Sequence, residues 1–268
     1  FLPIRFFKTH DVYCGSVRPA HYFESSGTTG SINSKHYVAD LALYEQSFFT
    51  GFEQCYGAVS NYCILGLLPS YLERQHASLA YMTEKLIQRS GHPMSGFYLY
   101  DVASLHQRLI ELEAQQQPTL LIGVSFALLD LAEKFPLPLR HTIIMETGGM
   151  KGRKKELTRM ELHDRLKAAF QVEAIHSEYG MTELLSQAYA RHDGLFETPN
   201  WMKLLLRPED DPLDLLLPVS GRTQSGAINI IDKDSYAVLM RIALLSSLKA
   251  SDTTSALGFR CVRPVDAP

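Results

Sequence analysis

No apolar run in this chain approaches the ~20 residues that a bilayer-spanning helix needs, and no segment has the layout of a signal peptide. A dominant charge sign is missing too. The formal net charge of -3 excludes a global pull toward nucleic acid or an anionic membrane. Cysteine is sparse: Cys14, Cys55, Cys63 and Cys261 are scattered without metal-ligand spacing, which predicts free thiols in a reducing cytoplasm. Cys55 and Cys63, at apolar positions of a helix and a strand, read as core. Internal repeats and low-complexity tracts are absent. Methionine is missing at position 1, and a chain starting at Phe1 is expected to be a fragment or a processed product. What is present is 268 residues, 46% hydrophobic and 21% charged, the balance of an ordered globular protein able to bury one large core.

Hydrophobic spacing divides the chain into alternating helices and strands. Leu41, Tyr44, Phe48 and Phe52 follow Asp40 at helical spacing and predict a helix over 40–56, stopped by Gly57. "NYCILGLLP" reads as a buried strand, Ser78 to Ser90 as a helix ended by Gly91, and "GFYLYD" as a short strand whose Asp101 caps the next helix. "TLLIGV" and "HTIIME" are strands on either side of the helix "SFALLDLAEKF". Thr158 with Glu161 forms a capping box for a helix through Phe170, and "VEAIHSE" is the last clear strand. This alternation predicts an α/β fold, a mostly parallel sheet flanked by helices. Ligands of such sheets gather at the carboxyl ends of the strands, near loops 24–31, 147–155 and 178–183.

The first of these loops contains "SSGTTG", residues 25–30. Gly27 and Gly30 allow close backbone approach, and Ser25, Ser26, Thr28 and Thr29 supply short hydroxyls, so the loop can form an anion-binding nest. By composition alone a solvated turn is the commoner outcome. A Walker P-loop is excluded, because Ile32 stands where the second glycine would be needed. The order Ser-Gly-Thr-Thr-Gly nevertheless resembles the phosphate loop of the adenylate-forming superfamily. "YGMTE" at 179–183 resembles that superfamily's second signature, in the right order and at the right separation.

More narrowly, "METGGMKGRKKELTR", "IHSEYGMTELLSQAY" and "GRTQSGAINIID" resemble the acyl-protein synthetase family, which includes the synthetase subunit of the fatty-acid reductase of bacterial luminescence. The resemblance runs over 1–232. It implies an adenylate-forming domain there, lacking its own N-terminal start, and leaves 233–268 as a divergent tail. It further implies ATP and Mg²⁺ as cofactors, a fatty or related carboxylic acid as substrate, and an acyl-accepting reductase or carrier protein as partner.

Site roles follow from the same resemblance. Ser25, Ser26, Gly27, Thr28, Thr29 and Gly30 would surround the β- and γ-phosphates of ATP. Gly148 and Gly149 would lie against adenine, Tyr179 would stack near the base, and Gly180 and Met181 would belong to the ATP site. Thr182 would bond the α-phosphate and Glu183 would ligate Mg²⁺. Physical chemistry favours such groups, because a carboxylate attacking a phosphate needs its charge neutralised by a cation and preorganised donors. Glu183 is a hard oxygen ligand suited to Mg²⁺. The plain alternative for Thr182 and Glu183 is the acidic first turn of a helix.

Lys151 and Arg153 belong to a basic run before a helix start, where cations oppose the helix dipole; they read as facing an anion or as a solvated loop. Lys35 follows the first loop at a longer spacing than in the relatives, and His176 reads as a satisfied core histidine or a lining of the acyl pocket. The tail departs from the family. No ribose-binding acid aligns, Asp232 reads as a surface aspartate, and Cys261 is the late cysteine that would accept an acyl group as a thioester. "DTTSALGFRCVR" resembles the end of formylglycine-generating, sulfatase-modifying proteins, a match too short to imply that activity.

Two other readings compete. "GVSFA" at 123–127 approximates a nucleophile elbow, which would make Ser125 the nucleophile of a serine hydrolase or acyltransferase, with His176 or His192 as base. A serine capping the following helix explains the same residues. The other reading is a non-catalytic nucleotide-binding or docking domain with a degenerate C-terminus.

Overall fold

The structure, a computed structural model, describes residues 6–25, 32–69, 76–99, 101–147, 157–192, 194–203, 227–229 and 243–244. In chain order the elements are α1 (Phe6–Thr9), β1 (Tyr22–Glu24), β2 (Lys35–Tyr37), α2 (Leu41–Tyr56), a 3₁₀ turn (Val59–Asn61), β3 (Cys63–Leu67), α3 (Ser78–Ser90) and β4 (Gly96–Phe97). Then come α4 (Val102–Ala114), β5 (Thr119–Val124), α5 (Ser125–Lys134), β6 (Thr142–Thr147), α6 (Arg159–Phe170) and β7 (His176–Gly180). The remaining strands are β8 (Gln187–Ala190), β9 (Leu195–Glu197), β10 (Met202–Lys203), β11 (Ala227–Asn229) and β12 (Ala243–Leu244).

Local chemistry sets the helix ends as the sequence predicts. The Asp40 carboxylate accepts from the Ala42 N–H, the Asp101 carboxylate accepts from the Ser104 N–H, and Gly91 ends α3 in the left-handed region at φ 62°. Thr158 and Glu161 form the reciprocal capping box of α6. The helix expected from Ser125 does begin there, but Val124 is its N-cap and no side chain caps it.

The main sheet has eight strands in the order β11-β9-β8-β7-β6-β5-β3-β4. β4, β3, β5, β6 and β7 run parallel; β8, β9 and β11 extend the sheet antiparallel. The antiparallel strands β8 and β9 correct the expectation that "VEAIHSE" is the last clear strand. Their short apolar runs lack the bounded pattern of the central strands; β8 is held by pairing with β7, and β9 by pairing with β8 and β11. "GFYLYD" contributes only the two residues of β4.

Strand periodicity places alternate residues on opposite faces. Leu121, Ile144 and Ile175 pack with Leu105, Leu109, Leu128, Leu166 and Phe170 of α4, α5 and α6. Leu120, Ile122 and Met145 pack with Tyr44, Phe48, Phe52, Met82 and Leu86 of α2 and α3. Each fully buried side chain of this size is worth about 1.5–3 kcal/mol. Cys63 lies in the first core, while Cys55 packs half-buried against the second. No helix among the described residues is long and apolar enough to cross a membrane.

Candidate functional site

The ends of β6 and β7 and one further segment come together at the carboxyl side of the parallel strands. Thr147 ends β6 and pairs in register with Glu178 of β7, so the chain leaves these neighbouring strands side by side. The third segment is a hairpin of β1 and β2, in which Glu24 pairs with Lys35. Its intervening loop is closed at the base by two bonds. The Ser25 N–H donates to the Ser34 carbonyl at 3.0 Å, and the Ser34 N–H donates to Ser25 Oγ at 2.8 Å. Asn33 Nδ2 donates to Glu24 Oε1 at 3.0 Å beside them.

His36, on β2, joins this hairpin to the turn after β7. Its Nδ1 lies 2.9 Å from the Thr182 carbonyl, 146 positions along the chain. The side chain is 1% exposed, and Phe7 packs edge-on against it at 5.3 Å between ring centroids. Burial drives its pKa down to about 4, with the hydrogen bond to Thr182 opposing. The imidazole is therefore neutral at pH 7, and because a carbonyl only accepts, Nδ1 carries its proton.

Thr182 and Glu183 occupy a turn between β7 and the antiparallel β8, closed by the Leu184 N–H donating to the Met181 carbonyl at 3.0 Å. The helix N-terminus that could have explained them is not formed. Glu183 is 8% exposed, yet among the described residues its carboxylate has no hydrogen-bond or ion-pair partner. Its carboxylate supplies hard oxygen donors of the kind Mg²⁺ takes, so this side chain fits a Mg²⁺ ligand. Gly180 is exposed at the strand end; a Cβ there would lie 2.6 Å from Glu178 Oε1. Tyr179 is half-buried, packs edge-on to Phe196 at 6.0 Å, and donates its hydroxyl toward Met181 Sδ at 3.1 Å.

Buried acids stand in β6 and β7 near these strand ends. The Thr147 hydroxyl donates to Glu178 Oε2 at 2.5 Å. Burial pushes the Glu178 carboxyl up to about 7; the Thr147 bond opposes this and the Glu146 charge adds to it. On the opposite sheet face, Glu146 is 4% exposed and meets Arg159 Nε at 3.2 Å, His163 Nε2 at 3.6 Å and the Ser125 hydroxyl at 3.4 Å. Glu146 and Arg159 flank segment 148–156 on either side, so their ion pair ties the two ends of that segment together.

The predicted site residues divide into two groups. Ser25, Tyr179, Gly180, Met181, Thr182 and Glu183 are placed as above. Ser26, Gly27, Thr28, Thr29, Gly30, Gly148, Gly149, Lys151, Arg153, Asp232 and Cys261 lie outside the described residues. Lys35 stands over the Tyr22 ring, 5.3 Å from its centroid. His176 is half-buried and bonded through Nδ1 to the Tyr56 hydroxyl at 3.1 Å, with burial lowering its pKa to about 4. The hydrolase constellation is not assembled: Ser125 is 1% exposed against Glu146, while His176 faces Tyr56 of α2 across the sheet. Gly123 of the supposed elbow is a packing glycine, since a Cβ would stand 2.8 Å from Leu128 Cδ2. Sequence reasoning missed His36 and Glu146 as site neighbours, and it gave Thr147 and Glu178 no role beyond their place in the predicted loops. Charged residues inside apolar strand runs were the available signal for the two acids.

No family model matches the sequence, and comparison with curated proteins gives no match. Solved structures do match. ATP-bound MatB from Rhodopseudomonas palustris is similar over 73% of this chain and 37% of its own, with a TM-score of 0.52 and 16% identity. An ATP-bound RpMatB-BxBclM chimera is similar over the same shares, with a TM-score of 0.53 and 17% identity. The chain thus spans little more than a third of the length of these solved chains. The mostly parallel sheet flanked by helices matches the adenylate-forming enzyme fold of these neighbours.

Proposed function

We propose that this chain is the nucleotide-binding body of an acyl-adenylating ligase, which joins a carboxylic acid, of fatty or related type, to AMP. One observation carries the reading. The hairpin that leads into and out of the Ser-Ser-Gly-Thr-Thr-Gly segment is hydrogen-bonded through His36 to the turn bearing Thr182 and Glu183, a contact that supports one site shared by the two signatures. The ATP-bound state of both solved neighbours, which share this fold, supports it.

In this reading a substrate carboxylate oxygen attacks the α-phosphorus of ATP, the bond to the bridging oxygen breaks, and pyrophosphate leaves. The chain's residues orient and neutralise. Backbone N–H groups and hydroxyls of Ser25, Ser26, Thr28 and Thr29 surround the outer phosphates, with Gly27 and Gly30 allowing close approach. Thr182 donates its hydroxyl to the α-phosphate. Gly148, Gly149 and Tyr179 receive the adenine, and Lys151 and Arg153 face the phosphates. Mg²⁺, held by Glu183, would offset the phosphate charge during the attack. A thiolate, of Cys261 or of a reductase or carrier protein, then attacks the acyl carbon, forming a thioester as the bond to the phosphate oxygen breaks and AMP leaves, in a compartment we assign as cytoplasm.

The test is ATP- and Mg²⁺-dependent hydroxamate formation across a series of carboxylic acids, with acid-dependent exchange of labelled pyrophosphate into ATP. Thr182→Ala and Glu183→Ala are each expected to slow exchange by about 10²-fold, the scale of one lost transition-state contact. Exchange indifferent to both substitutions sinks the site. Tight ATP binding without exchange for any acid favours a non-catalytic nucleotide domain. Covalent labelling of Ser125 by a fluorophosphonate without ATP would revive the hydrolase reading.

A further inference from the structure

We infer that His36 is a positioning residue whose Nδ1–H latches the phosphate-loop hairpin onto the Thr182–Glu183 turn, setting the distance between the two halves of the nucleotide site. This inference deepens the adenylating reading and rests on it for the identity of the ligand. The latch itself is independent of that reading.

Three observations carry it. His36 is the second of three residues in β2, and the same hairpin closes its loop through Ser25 and Ser34. A shift of β2 along its axis would therefore move the loop base with it. The acceptor is the backbone carbonyl of Thr182 rather than a side chain, so the contact fixes the main chain from which the Thr182 hydroxyl and the Glu183 carboxylate project. Finally, Nε2 is buried and has no hydrogen-bond partner among the described residues. An apolar side chain of similar shape would fill this place without leaving that acceptor bare. With Nε2 unpartnered among the described residues, the hydrogen-bonding role of this imidazole falls to Nδ1.

The chemistry discriminates between substitutions. Asparagine places its amide nitrogen close to the position of Nδ1 and keeps the donor. Glutamine reaches toward the position of Nε2 and points its donor away from Thr182. Phenylalanine keeps the ring and loses the donor altogether. His36→Gln and His36→Phe are expected to raise the KM for ATP and lower the pyrophosphate-exchange kcat, with at least a tenfold loss in kcat/KM. His36→Asn is expected to stay within about threefold of wild type, as one hydrogen bond of ordinary strength requires.

Two further measurements, on the full chain without nucleotide, separate failure of the latch from failure of the adenylating reading. Hydrogen exchange should show residues 22–37 losing protection in His36→Gln and keeping it in His36→Asn. Nitrogen-15 imidazole spectra of the wild type at pH 7 should show the neutral Nδ1–H tautomer for His36. If these two hold while no acid supports exchange, the latch stands and the adenylating reading falls. An Nε2–H tautomer, or equal protection in the Asn and Gln variants, overturns the latch whatever the enzyme assays show.

Discussion

Glu178 shows how one buried side chain ties stability to pH. Its carboxyl is raised from 4.5 to about 7, so between those values the folded chain keeps a proton that the unfolded chain has released. Stability from this group is present below pH 4.5 and is lost as pH rises through 7. The charged and titratable groups around it are Glu146 of β6, Tyr44 of α2 and Tyr189 of β8. Replacing Glu178 by Gln should flatten this dependence. Denaturant titrations at pH 5 and pH 8 are expected to show the wild type losing roughly 3 kcal/mol more than the variant across that interval. An identical pH slope in the two proteins would mean that Glu178 does not hold its proton. Arg159 illustrates the converse case. Removing it as Arg159→Ala leaves Glu146 buried with His163 and Ser125, and because Arg159 is partly exposed the expected loss is about 1–3 kcal/mol. A denaturant midpoint unchanged by that substitution would show that the pair does not stabilise the fold.

At the scale of elements, short-range chemistry was legible and long-range pairing was not. α2, α3, α4 and α6 begin at the residues whose side chains or spacing announce them, because a cap and an apolar stripe are both written within one or two turns of sequence. Thr158→Ala should cost about 1 kcal/mol by removing half of the capping box, measurable as a lower thermal midpoint. The β1–β2 hairpin and β8–β9 went unread because strands of three or four residues have too few positions to display alternation. Gly123 adds an element-scale prediction. Gly123→Ala would drive a methyl group into Leu128 and Leu67, and the crowding is expected to destabilise by about 1–3 kcal/mol. A neutral Gly123→Ala variant would mean that α5 can retreat from β5.

For the whole molecule, the titrating groups set a stability profile. His36 and His176 are both lowered to about 4, so each must stay neutral in the folded chain. Their contribution is complete above pH 6.5 and is lost as pH falls toward 4. Protonation of Glu178 runs the other way over part of this range, but two histidines oppose one carboxyl. Thermal midpoints should therefore drop between pH 6.5 and pH 4.5, and His176→Asn should remove part of that drop. A midpoint independent of pH over this range would contradict the burial of both imidazoles. The tail belongs to this scale too. Ala243–Leu244 pairs antiparallel with Met202–Lys203, outside the main sheet. We propose that residues 1–232 form the adenylate-forming domain and 233–268 a divergent tail docked on it through this strand pair, and limited proteolysis cutting first near residue 232 would support it.

The sequence by itself determined the alternation of helices and strands, the helix caps, and the two signatures at 25–30 and 179–183, since each is encoded by neighbours along the chain. It also carried the glycines and hydroxyls that make an anion site chemically reasonable. Only the tertiary structure decided that the hairpin and the turn touch. It likewise decided that Ser125 faces a buried carboxylate rather than solvent, and that Glu178 stands beside Thr147 and accepts its hydroxyl. Those facts depend on which strands become neighbours in the sheet, and burial then sets the protonation of His36 and Glu178. Contacts across 146 positions leave no periodicity to read.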